Sequence, residues 1–571
     1  MKLMMDYVRP YMRQLSVGVF IKFFGTIMDL LLPWILAYII DTVVPLRDRR
    51  QILFWGGIMI LTSIAALTLN IIANRMASKI ARDSTENIRH DLFAKISYLS
   101  ASQLDKYGVP TLVSRLTTDT YNVNHTIGRI QRMGIRGPIL LLGGIVVTLT
   151  LDPVLTLVLI ATMPFIVVTV YFISKIGIPQ FTKLQEEVDH LIQVVRENIT
   201  GARVIKALSK EEYEKNRFST VNDVVVQAET KANLTMAVNS PLMNLFLNTG
   251  LTLVILVSAF RVNAGTTQPG VVVAFMSYFT IILNAMLSIT RIFVIISRGL
   301  ASADRISTIL STPSDLTVET EDTIETDAFI QFQHVSFAYQ EGQETLSDIH
   351  FSLKQGETLG IIGPTGSGKT TLIKLLMRLY DPSEGTIRIN GRNVNSIPQE
   401  ELHSLFGVAF QRDILFADTL KENIDFGRQL PLDEIVRSTD FAQADEFIDS
   451  LEDGLNHSVH SKGSNLSGGQ KQRVVVSRAL ADEPAILILD DSSSALDYQT
   501  DARLRRAIVE NFTETTKIII AQRISSIQHA DYILMIEDGK TIGFGTHEEL
   551  MQRNETYREI SRSQMGGAEF A

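Results

Sequence analysis

Six long apolar segments in the first 300 residues constrain the fold of this chain more than any other feature. Four of them contain no charged residue: Ile52–Asn74, Pro153–Ser174, Ala232–Phe260 and Thr266–Thr290. Two more contain a few charges, Leu15–Ile40 and Ile130–Leu151. As a helix, each segment is long enough to cross about 30 Å of hydrocarbon. The sequence therefore predicts an all-α transmembrane domain with six membrane-spanning helices.

Two polar stretches separate the second span from the third, at about 75–130, and the fourth from the fifth, at about 175–231. Both are rich in helix-forming residues, and both are far too long for hairpin turns. We therefore expect the spanning helices to continue well beyond the membrane as long cytosolic extensions.

The chain changes character after the sixth apolar segment. At 571 residues it is too long for one core, so at least two domains are expected. Residues 311–327 contain six acidic side chains and few apolar ones, which is typical of a linker. From Phe329 to about Glu559, apolar strands alternate with helices, an α/β pattern. The predicted organisation is a transmembrane domain at 1–310, the linker, and an α/β domain at 328–571.

Composition excludes several kinds of site. The chain has no cysteine, which excludes disulfides, thiolate metal sites and cysteine nucleophiles. The formal net charge is −9, which argues against a nucleic-acid partner.

A glycine-rich loop near the start of the α/β domain predicts a polyphosphate site. It consists of Gly363, Pro364, Thr365, Gly366, Ser367, Gly368, Lys369, Thr370 and Thr371. The apolar run before it is typical of a buried strand, and the run after it of a helix. In such a loop the backbone N–H groups converge on phosphates at the helix N-terminus, the lysine reaches the terminal phosphates and the first threonine holds Mg²⁺.

A second motif distinguishes between families of ATPases. Leu466, Ser467, Gly468, Gly469 and Gln470 follow one another and match the signature motif of ATP-binding cassette (ABC) proteins. The signature motif, the glycine-rich loop and the six spans together make this chain resemble an ABC exporter half-transporter over nearly its whole length. The resemblance implies that these signature residues bind ATP held by the other cassette of a head-to-tail dimer. The cofactors implied are ATP and Mg²⁺.

The same resemblance assigns further residues of the cassette. Tyr339 matches the aromatic residue that stacks on adenine, and Gln411 matches a loop glutamine that touches Mg²⁺ and the attacking water. Asp490 ends an apolar strand, where a carboxylate organises Mg²⁺ together with Thr370. In ABC exporters the cytosolic extensions end in short coupling helices, and the matching positions here are Ala101–Lys106 and Asn198–Leu208.

Two catalytic positions depart from the family pattern. The residue after Asp490 is usually the glutamate that acts as general base, and here it is Asp491. The strand-end histidine of the family is replaced by Gln522. Aspartate is one methylene shorter, so its carboxylate falls about 1.5 Å short, and such misplacement can cost about a hundredfold in rate. The sequence therefore predicts a degenerate ATP site with impaired catalysis.

These features favour one half of a bacterial heterodimeric multidrug exporter. A second, non-identical half-transporter would supply the missing glutamate and histidine, and the substrate would be a hydrophobic or amphipathic small molecule. Two alternatives stay open at this point. One is a lipid or peptide transporter, or an importer such as a siderophore importer, built on the exporter fold. The other is a regulatory or gating subunit.

The predicted location is the plasma membrane, in contact with its lipids. Six spans place both termini on one side, and an ATPase must face cytosolic ATP. The basic residues Lys2, Arg9 and Arg13 agree with a cytoplasmic start, whereas the basic loop at 47–50 does not.

Few residues of the sequence bear on the substrate. Lys22 and Asp29 are seven residues apart within the first span, hence on one helical face. Charges inside a membrane usually face a cavity or the bundle interior, either as a structural pair or as part of a substrate path. Several large residues could line an apolar pocket, face lipid or pack the helices: Met243, Phe246, Phe275, Met276 and Phe279.

Overall fold

The computed structural model describes residues 1–339, 344–492 and 494–565. They form two compact units. The first unit contains Met1–Tyr98 and Val109–Thr312, and the second contains Leu99–Gly108 and the chain from Pro313 onward. The first unit is helical throughout, whereas the second is a mixture of strands and helices.

The first unit consists mostly of long helices. Its helices are α1 (Lys2–Val8), α2 (Met12–Tyr38), α3 (Arg49–Ser97), α5 (Val109–Ser114), α6 (Thr120–Arg129), α7 (Ile135–Leu151), α8 (Pro153–Thr200), α9 (Ala202–Ala207), α10 (Glu211–Ala237), α11 (Asn239–Asn263) and α12 (Pro269–Leu310), while α4 (Ala101–Tyr107) belongs to the second unit. Among the described residues, six helical stretches are long and apolar enough to cross a membrane. This confirms the six predicted spans.

Within the described helices, three π-helical turns interrupt two of the long helical stretches, and one of the three is Arg115–Asp119 between α5 and α6. The turn Ile39–Val43 follows α2, and the turn Ile130–Gly134 joins α6 to α7. A turn with i→i+5 hydrogen bonds contains one extra residue and rotates the side chains beyond it around the helix. These turns therefore change which face of the helix each flanking residue occupies.

Polar groups hold the helices of the first unit together from inside. Asp119, about 1% exposed, accepts hydrogen bonds from Arg115 at 2.9 Å and from Arg305 at 3.1 Å. Asp152 caps α8 by accepting from the Leu155 N–H at 3.2 Å, and it pairs with Arg261 at 2.9 Å. Both carboxylates are buried and paired with arginine, as a buried charge requires.

The two charges predicted on one face of the first span do not pair with each other. The Lys22 amine donates to the Asn74 side chain at 3.0 Å, while Asp29 pairs with Arg136 at 3.0 Å. Three of the five residues considered for an apolar pocket pack between helices, whereas Met276 is 38% exposed. Phe275 is fully buried, and its neighbours in that set Met243 and Phe279 are at most 5% exposed.

The second unit contains two sheets. Its strands are β1 (Ile330–Phe337), β2 (Leu346–Leu353), β3 (Thr358–Ile362), β4 (Glu384–Ile389), β5 (Arg392–Asn393), β6 (Phe406–Ala409), β7 (Ile486–Asp490), β8 (Thr516–Ile520), β9 (Tyr532–Glu537) and β10 (Lys540–Gly545). The smaller sheet is antiparallel with the order β2-β1-β4-β5, and the larger has the order β10-β9-β3-β8-β7-β6. All neighbours in the larger sheet are parallel except β9 and β10.

Helices cover the larger sheet, whose parallel strands are buried on both faces. The helices are α13 (Lys369–Leu376), α14 (Gln399–Ser404), α15 (Leu420–Asp425), α16 (Leu432–Phe441), α17 (Asp445–Asp449), α18 (Gly468–Leu480), α19 (Tyr498–Asn511), α20 (His547–Arg553) and α21 (Glu555–Met565). Every residue of β7 is buried, as expected for a central parallel strand. The fold class predicted from the sequence is confirmed by this combination of a helical membrane unit and an α/β unit.

A short piece of the N-terminal half belongs to the second unit. Ser100 caps α4 by accepting a hydrogen bond from the Gln103 N–H at 3.1 Å. The Gln103 side chain donates to the Pro313 carbonyl at 2.7 Å, and the Tyr380 hydroxyl donates to Asp105. This helix therefore lies where the first coupling helix was expected, and it is fixed to the α/β unit by polar contacts.

The acidic segment before β1 also lies on the second unit. Residues 312–329, which the structure describes throughout, form no helix or strand. The Glu319 N–H donates to the Asn395 carbonyl at 2.9 Å, and Glu321 pairs with the buried Arg388. The segment expected as a linker is thus held along the α/β unit.

The second cytosolic turn differs in detail from its prediction. Asn198 to Thr200 are the last turn of α8, and the short helix α9 begins only at Ala202. No residue of α9 is buried. Gly201 separates the two helices, so the expected coupling segment 198–208 is a helix end followed by a new helix.

Candidate nucleotide-binding site

The glycine-rich loop lies at the centre of the larger sheet. It follows β3, which is hydrogen-bonded to β8 on one side and β9 on the other, and it leads directly into α13. Gly366 has φ 89° and Gly368 has φ 102°, conformations that residues with a Cβ rarely adopt. The loop therefore turns sharply at the carboxyl end of a central strand, which is the usual ligand position in a parallel sheet.

The start of the loop is packed against a neighbouring strand. A Cβ on Gly363 would come within 2.0 Å of the Ile536 carbonyl oxygen, so only glycine fits there. The hydroxyl of Ser367 is buried and has no hydrogen-bond partner among the described residues. Thr365 and Gly366 at the tip of the loop are exposed. An unpaired buried hydroxyl inside a tight loop fits a loop that is built to bind an oxyanion.

The Lys369 side chain is hydrogen-bonded to the backbone of its own loop. Its amine donates to the carbonyls of Gly363 at 2.8 Å and Pro364 at 2.7 Å. Burial lowers the pKa of Lys369, while the nearby Asp490 and Asp491 carboxylates oppose that shift. A half-buried cation with carbonyl partners gains from exchanging them for a phosphate, because hydrogen bonds between two charged groups are stronger than those to neutral acceptors.

The residues expected to hold Mg²⁺ are partly preassembled. The Thr370 hydroxyl donates to the Asp490 carboxylate at 2.9 Å, which joins α13 to the end of β7. Burial raises the pKa of Asp490, the Asp491 charge adds to the shift, and the Thr370 hydrogen bond opposes it. A divalent cation would favour the ionised carboxylate. The third expected ligand, Gln411, is exposed in the loop after β6.

The two departures from the family pattern meet in the structure. The Gln522 side chain donates to the Asp491 carboxylate at 3.2 Å. Asp491 has φ 52°, and its N–H donates to the Ile520 carbonyl at 3.0 Å. One carboxylate oxygen of Asp491 therefore accepts a hydrogen bond from the Gln522 amide, which links the two positions directly.

An aromatic group lies beside the loop. The Tyr339 hydroxyl is within 3.2 Å of the Thr371 hydroxyl, and the ring is about 42% exposed. The ring edge packs on Tyr380 with centroids 5.2 Å apart. The Lys374 amine lies 5.3 Å from the Tyr339 ring centroid. Such an exposed ring beside the phosphate loop is available for stacking.

Lys374 and Tyr380 were not among the residues predicted from the sequence. Lys374 follows Thr370 and Thr371 at helical spacing, and this spacing alone places it on the same side of α13. Tyr380 gave no such signal, because its contact with Tyr339 comes from the packing of the loop after α13 against β1.

The signature residues begin a different helix. The Ser467 hydroxyl accepts from the Gln470 N–H at 3.3 Å, and the Gln470 side chain accepts from the Ser467 N–H at 2.9 Å, which together form a capping box on α18. Ser467 and Gly468 are exposed, and Gly469 is partly exposed. Gln472 then ties α18 to the loop after β7, donating to Ser494 at 3.1 Å. The signature is therefore rigid and accessible.

Two family models match the chain. The model for the ABC transporter transmembrane region matches residues 15–286, and the model for the ABC transporter matches residues 346–494. The first match lies in the helical unit, and the second runs from β2 to the loop after β7 that contains Asp491.

Relatives of known sequence match over almost the entire chain. The Bacillus subtilis uncharacterized ABC transporter ATP-binding protein YfiB is 34% identical over 98% of both chains. The Mycobacterium tuberculosis uncharacterized ABC transporter ATP-binding protein Rv1273c is 31% identical over 98% of both chains.

The fold also matches the solved structure of a bacterial Atm1-family ABC exporter with ATP bound. The TM-score is 0.81 at 22% identity, with 97% of this chain and 98% of that chain covered. At this identity the match shows the fold alone. The phosphate loop, the signature, the six spans and the full-length relatives show that this chain belongs to the ABC transporter family, as an exporter-type half-transporter with a membrane domain fused to a cytoplasmic ATPase domain.

Proposed function

We propose that this chain is the degenerate half of a heterodimeric ABC exporter. In this proposal its own phosphate loop binds ATP and Mg²⁺ but hydrolyses ATP slowly, and the pair exports hydrophobic or amphipathic small molecules across the plasma membrane. The observation that carries the proposal is the hydrogen bond between Gln522 and Asp491, at the two positions where the family has histidine and glutamate.

Both replacements weaken hydrolysis for a physical reason. Asp491 is a shorter base than glutamate, and one of its oxygens already accepts a hydrogen bond from an amide. Gln522 cannot become a cation beside developing phosphate charge. General-base assistance contributes roughly 10²–10⁴-fold to a rate, or about 3–5 kcal/mol of barrier. The phosphate loop and the hydrogen bond between Thr370 and Asp490, by contrast, support nucleotide binding.

The intact signature would let this chain also complete the nucleotide site of its partner. Ser467 and Gly468 are exposed at the start of α18, where they are available to a nucleotide held by another cassette. A chain with a good signature and poor catalytic residues is useful when its partner has the opposite properties. The partner of this chain would carry the glutamate and the histidine, and the productive composite site would contain its phosphate loop and this chain's signature.

Surface residues of the helical unit support a dimer. At the second cytosolic turn Ile199 is 73% exposed, Val204 is 61% exposed and Leu208 is 64% exposed. The three side chains lie within ten residues of one another outside the membrane, and a cluster of exposed apolar groups there is typical of a protein interface. A partner cassette is the surface that exporter-type half-transporters offer to this turn.

The decisive test compares two substitutions in the purified pair. Ser467→Arg should abolish most ATP hydrolysis, because a long cation blocks the productive composite site. Asp491→Asn should lower it less than twofold, since that carboxylate already contributes little. The Ser404→Arg variant, with the same change at an exposed cassette position, is the matched control and should retain full activity. Loss of activity in Asp491→Asn equal to loss of the partner's glutamate would contradict the proposal.

A binding measurement separates nucleotide capture from hydrolysis. Photolabelling with azido-ATP, followed by separation of the two chains, should mark this chain in the wild type and in Asp491→Asn. Lys369→Ala should weaken labelling about a hundredfold, because it removes the half-buried cation of the loop that would bind the phosphates. Lys540→Ala, an exposed lysine of the same unit, controls for the loss of charge. Strong ATPase activity of this chain as a homodimer would also refute the partner argument.

A further inference from the structure

The helical unit contains a cavity of about 690 Å³ bounded by α2, α3, α6, α7 and α12. Four cationic side chains line it, Lys22, Arg129, Arg132 and Arg136, together with a single carboxylate, Asp29. The excess of positive charge is unusual, because every charge in a membrane-spanning segment is costly unless it is paired or hydrated.

The hydrogen bonds show which of these cations is compensated. Asp29 is paired with Arg136 at 3.0 Å. Lys22 donates to the neutral side chain of Asn74 at 3.0 Å. Arg136 is therefore the one cation of the four that has a carboxylate partner among the described residues.

Arg129 and Arg132 have neutral partners. Arg129 donates to the His125 ring at 3.2 Å and to the Met133 sulfur at 3.3 Å. Arg132 donates to the Ser78 hydroxyl at 3.0 Å. In the part of the chain that the structure describes, neither guanidinium has a carboxylate within 4.0 Å. Each therefore retains donors for an added anion.

The cavity lies on the cytoplasmic side of the membrane and reaches its surface, since Arg129 is about 33 Å from the outer end of its span at Leu151. Arg136 is about 22 Å from the outer end of its span at Leu151, taking 1.5 Å per helical residue. Asn284 is about 22 Å from the outer end of its own span at Pro269. Because the hydrocarbon is about 30 Å thick, both residues lie inside it on the cytoplasmic side.

A π-helical turn shapes the arginine-bearing wall. The turn Ile130–Gly134 falls between Arg129 and Arg136 and includes Arg132. Turns of this kind are rare in helices and occur often at functional sites. Here the extra residue shifts the helical register, and the three arginines still line one cavity.

We propose that this cavity binds an oxyanion carried on an apolar body, and that the transported molecules of this chain are anionic amphipaths. The arginines would bind a carboxylate or phosphate group, since guanidinium matches such groups with paired donors. Leu140 and Ile281, which also line the cavity, would contact the apolar part. The binding site stands on the cavity alone, whereas the transport of its ligand rests on the proposed exporter function.

The experiment measures binding of two dyes that share a xanthene core and differ in charge. Anisotropy titrations use the full-length pair in a non-ionic detergent without nucleotide, with carboxyfluorescein as the anion and rhodamine 123 as the cation. Carboxyfluorescein should bind at least tenfold more tightly. Arg129→Gln and Arg132→Gln should each weaken its binding about tenfold, the usual effect of losing a hydrogen bond to a charged group. Arg132→Lys, which keeps the charge, should lose less.

Arg75→Gln is the matched control, because Arg75 is exposed on the same helix as Asn74 and does not line the cavity. It should leave the affinity for carboxyfluorescein unchanged. Azido-ATP labelling of every variant checks that the cassette is intact. Tighter binding of rhodamine 123, or unchanged carboxyfluorescein binding in both arginine-to-glutamine variants, would overturn the proposal.

Two sources of the anion are separated by adding lipid. Phosphatidylglycerol in nanodiscs should displace the dye if a lipid phosphate is the ligand, and phosphatidylcholine nanodiscs provide the comparison. Displacement that depends on Arg132 assigns the site to an anionic lipid, and no displacement assigns it to a soluble organic anion. Because the titrations require no ATP hydrolysis, dye binding without transport would refute the exporter function and leave the anion site standing.

Discussion

The two units of this protein expose different kinds of residue. In the α/β unit the interior is apolar, and residues such as Ile387, Ile488 and Leu534 are completely buried. In the helical unit residues such as Leu155 are equally buried, but large apolar side chains are also exposed, Leu157 at 70% among them. The solvent explains the difference, because water surrounds the α/β unit, whereas lipid surrounds the membrane-spanning helices of the helical unit.

This contrast changes what stabilises each unit. In water, burying apolar surface contributes roughly 25 cal/mol per Å². In lipid that contribution vanishes between helices, since lipid tails are as apolar as leucine, and packing and polar contacts take over. We therefore expect core truncation to damage the α/β unit most, and loss of buried polar contacts to damage the helical unit.

The largest effect should come from the antiparallel sheet of the α/β unit. Ile387→Ala should destabilise this unit by about 3 kcal/mol, because it creates a cavity in a completely buried position of β4, while Ile387→Val should cost about 1 kcal/mol. Hydrogen exchange of the full-length chain, resolved by mass spectrometry, measures the opening of β1 and β4 separately from the helices. Equal costs for the two variants would refute the cavity explanation.

A smaller but clear effect is expected in the helical unit. Asp119→Ala should cost about 2–3 kcal/mol, because Arg115 and Arg305 lose the carboxylate between them. The cost is at the low end for a buried carboxylate because Arg305 is 43% exposed, and water screens its charge. Asp304→Ala, an exposed carboxylate nearby on α12, should change little.

Intrinsic fluorescence is a convenient probe for that comparison. The chain has two tryptophans, Trp34 and Trp55, and both lie in the helical unit, in contact with Tyr38. Thermal unfolding in detergent followed at these residues therefore reports on the helical unit alone. An identical unfolding temperature for Asp119→Ala and Asp304→Ala would show that the buried carboxylate is dispensable.

The smallest effect is predicted at the lipid-facing surface. Leu157→Ala should change stability by less than about 0.5 kcal/mol. The leucine side chain faces lipid, so shortening it removes few contacts with other helices. Leu155→Ala, two residues away on the same helix and completely buried, should cost about 2 kcal/mol through lost packing. The same fluorescence measurement applies. A larger loss for Leu157→Ala than for Leu155→Ala would reverse the assignment of lipid-facing and interior sides.

Most of the nucleotide site could be predicted because its residues are contiguous in sequence. The loop from Gly363 to Thr371 needs only its own backbone and the helix that follows, and the Ser467–Gln470 capping box is equally local. Pairs of distant residues were harder. The hydrogen bond between Asp491 and Gln522 depends on β7 and β8 lying side by side, and the contact of Tyr380 with Tyr339 depends on the packing of the loop after α13 against β1.

In the membrane unit, length and hydropathy were sufficient to find the helices but not their environment. The sequence placed Lys22 and Asp29 on one face, which suggested a pair. In the structure each bonds to a residue on another helix, Asn74 and Arg136 respectively. Helical periodicity describes one helix at a time, and the partner of a buried charge is decided between helices.

The sequence by itself therefore determined six spans, an α/β ATPase domain, a phosphate loop and a signature, because each is encoded by local hydrophobicity or by adjacent residues. Only the tertiary structure decided that four cations share one cavity, that the 99–108 segment belongs to the α/β unit and that Gln522 bonds to Asp491. These features depend on contacts between residues distant in the chain, which form only when the elements pack.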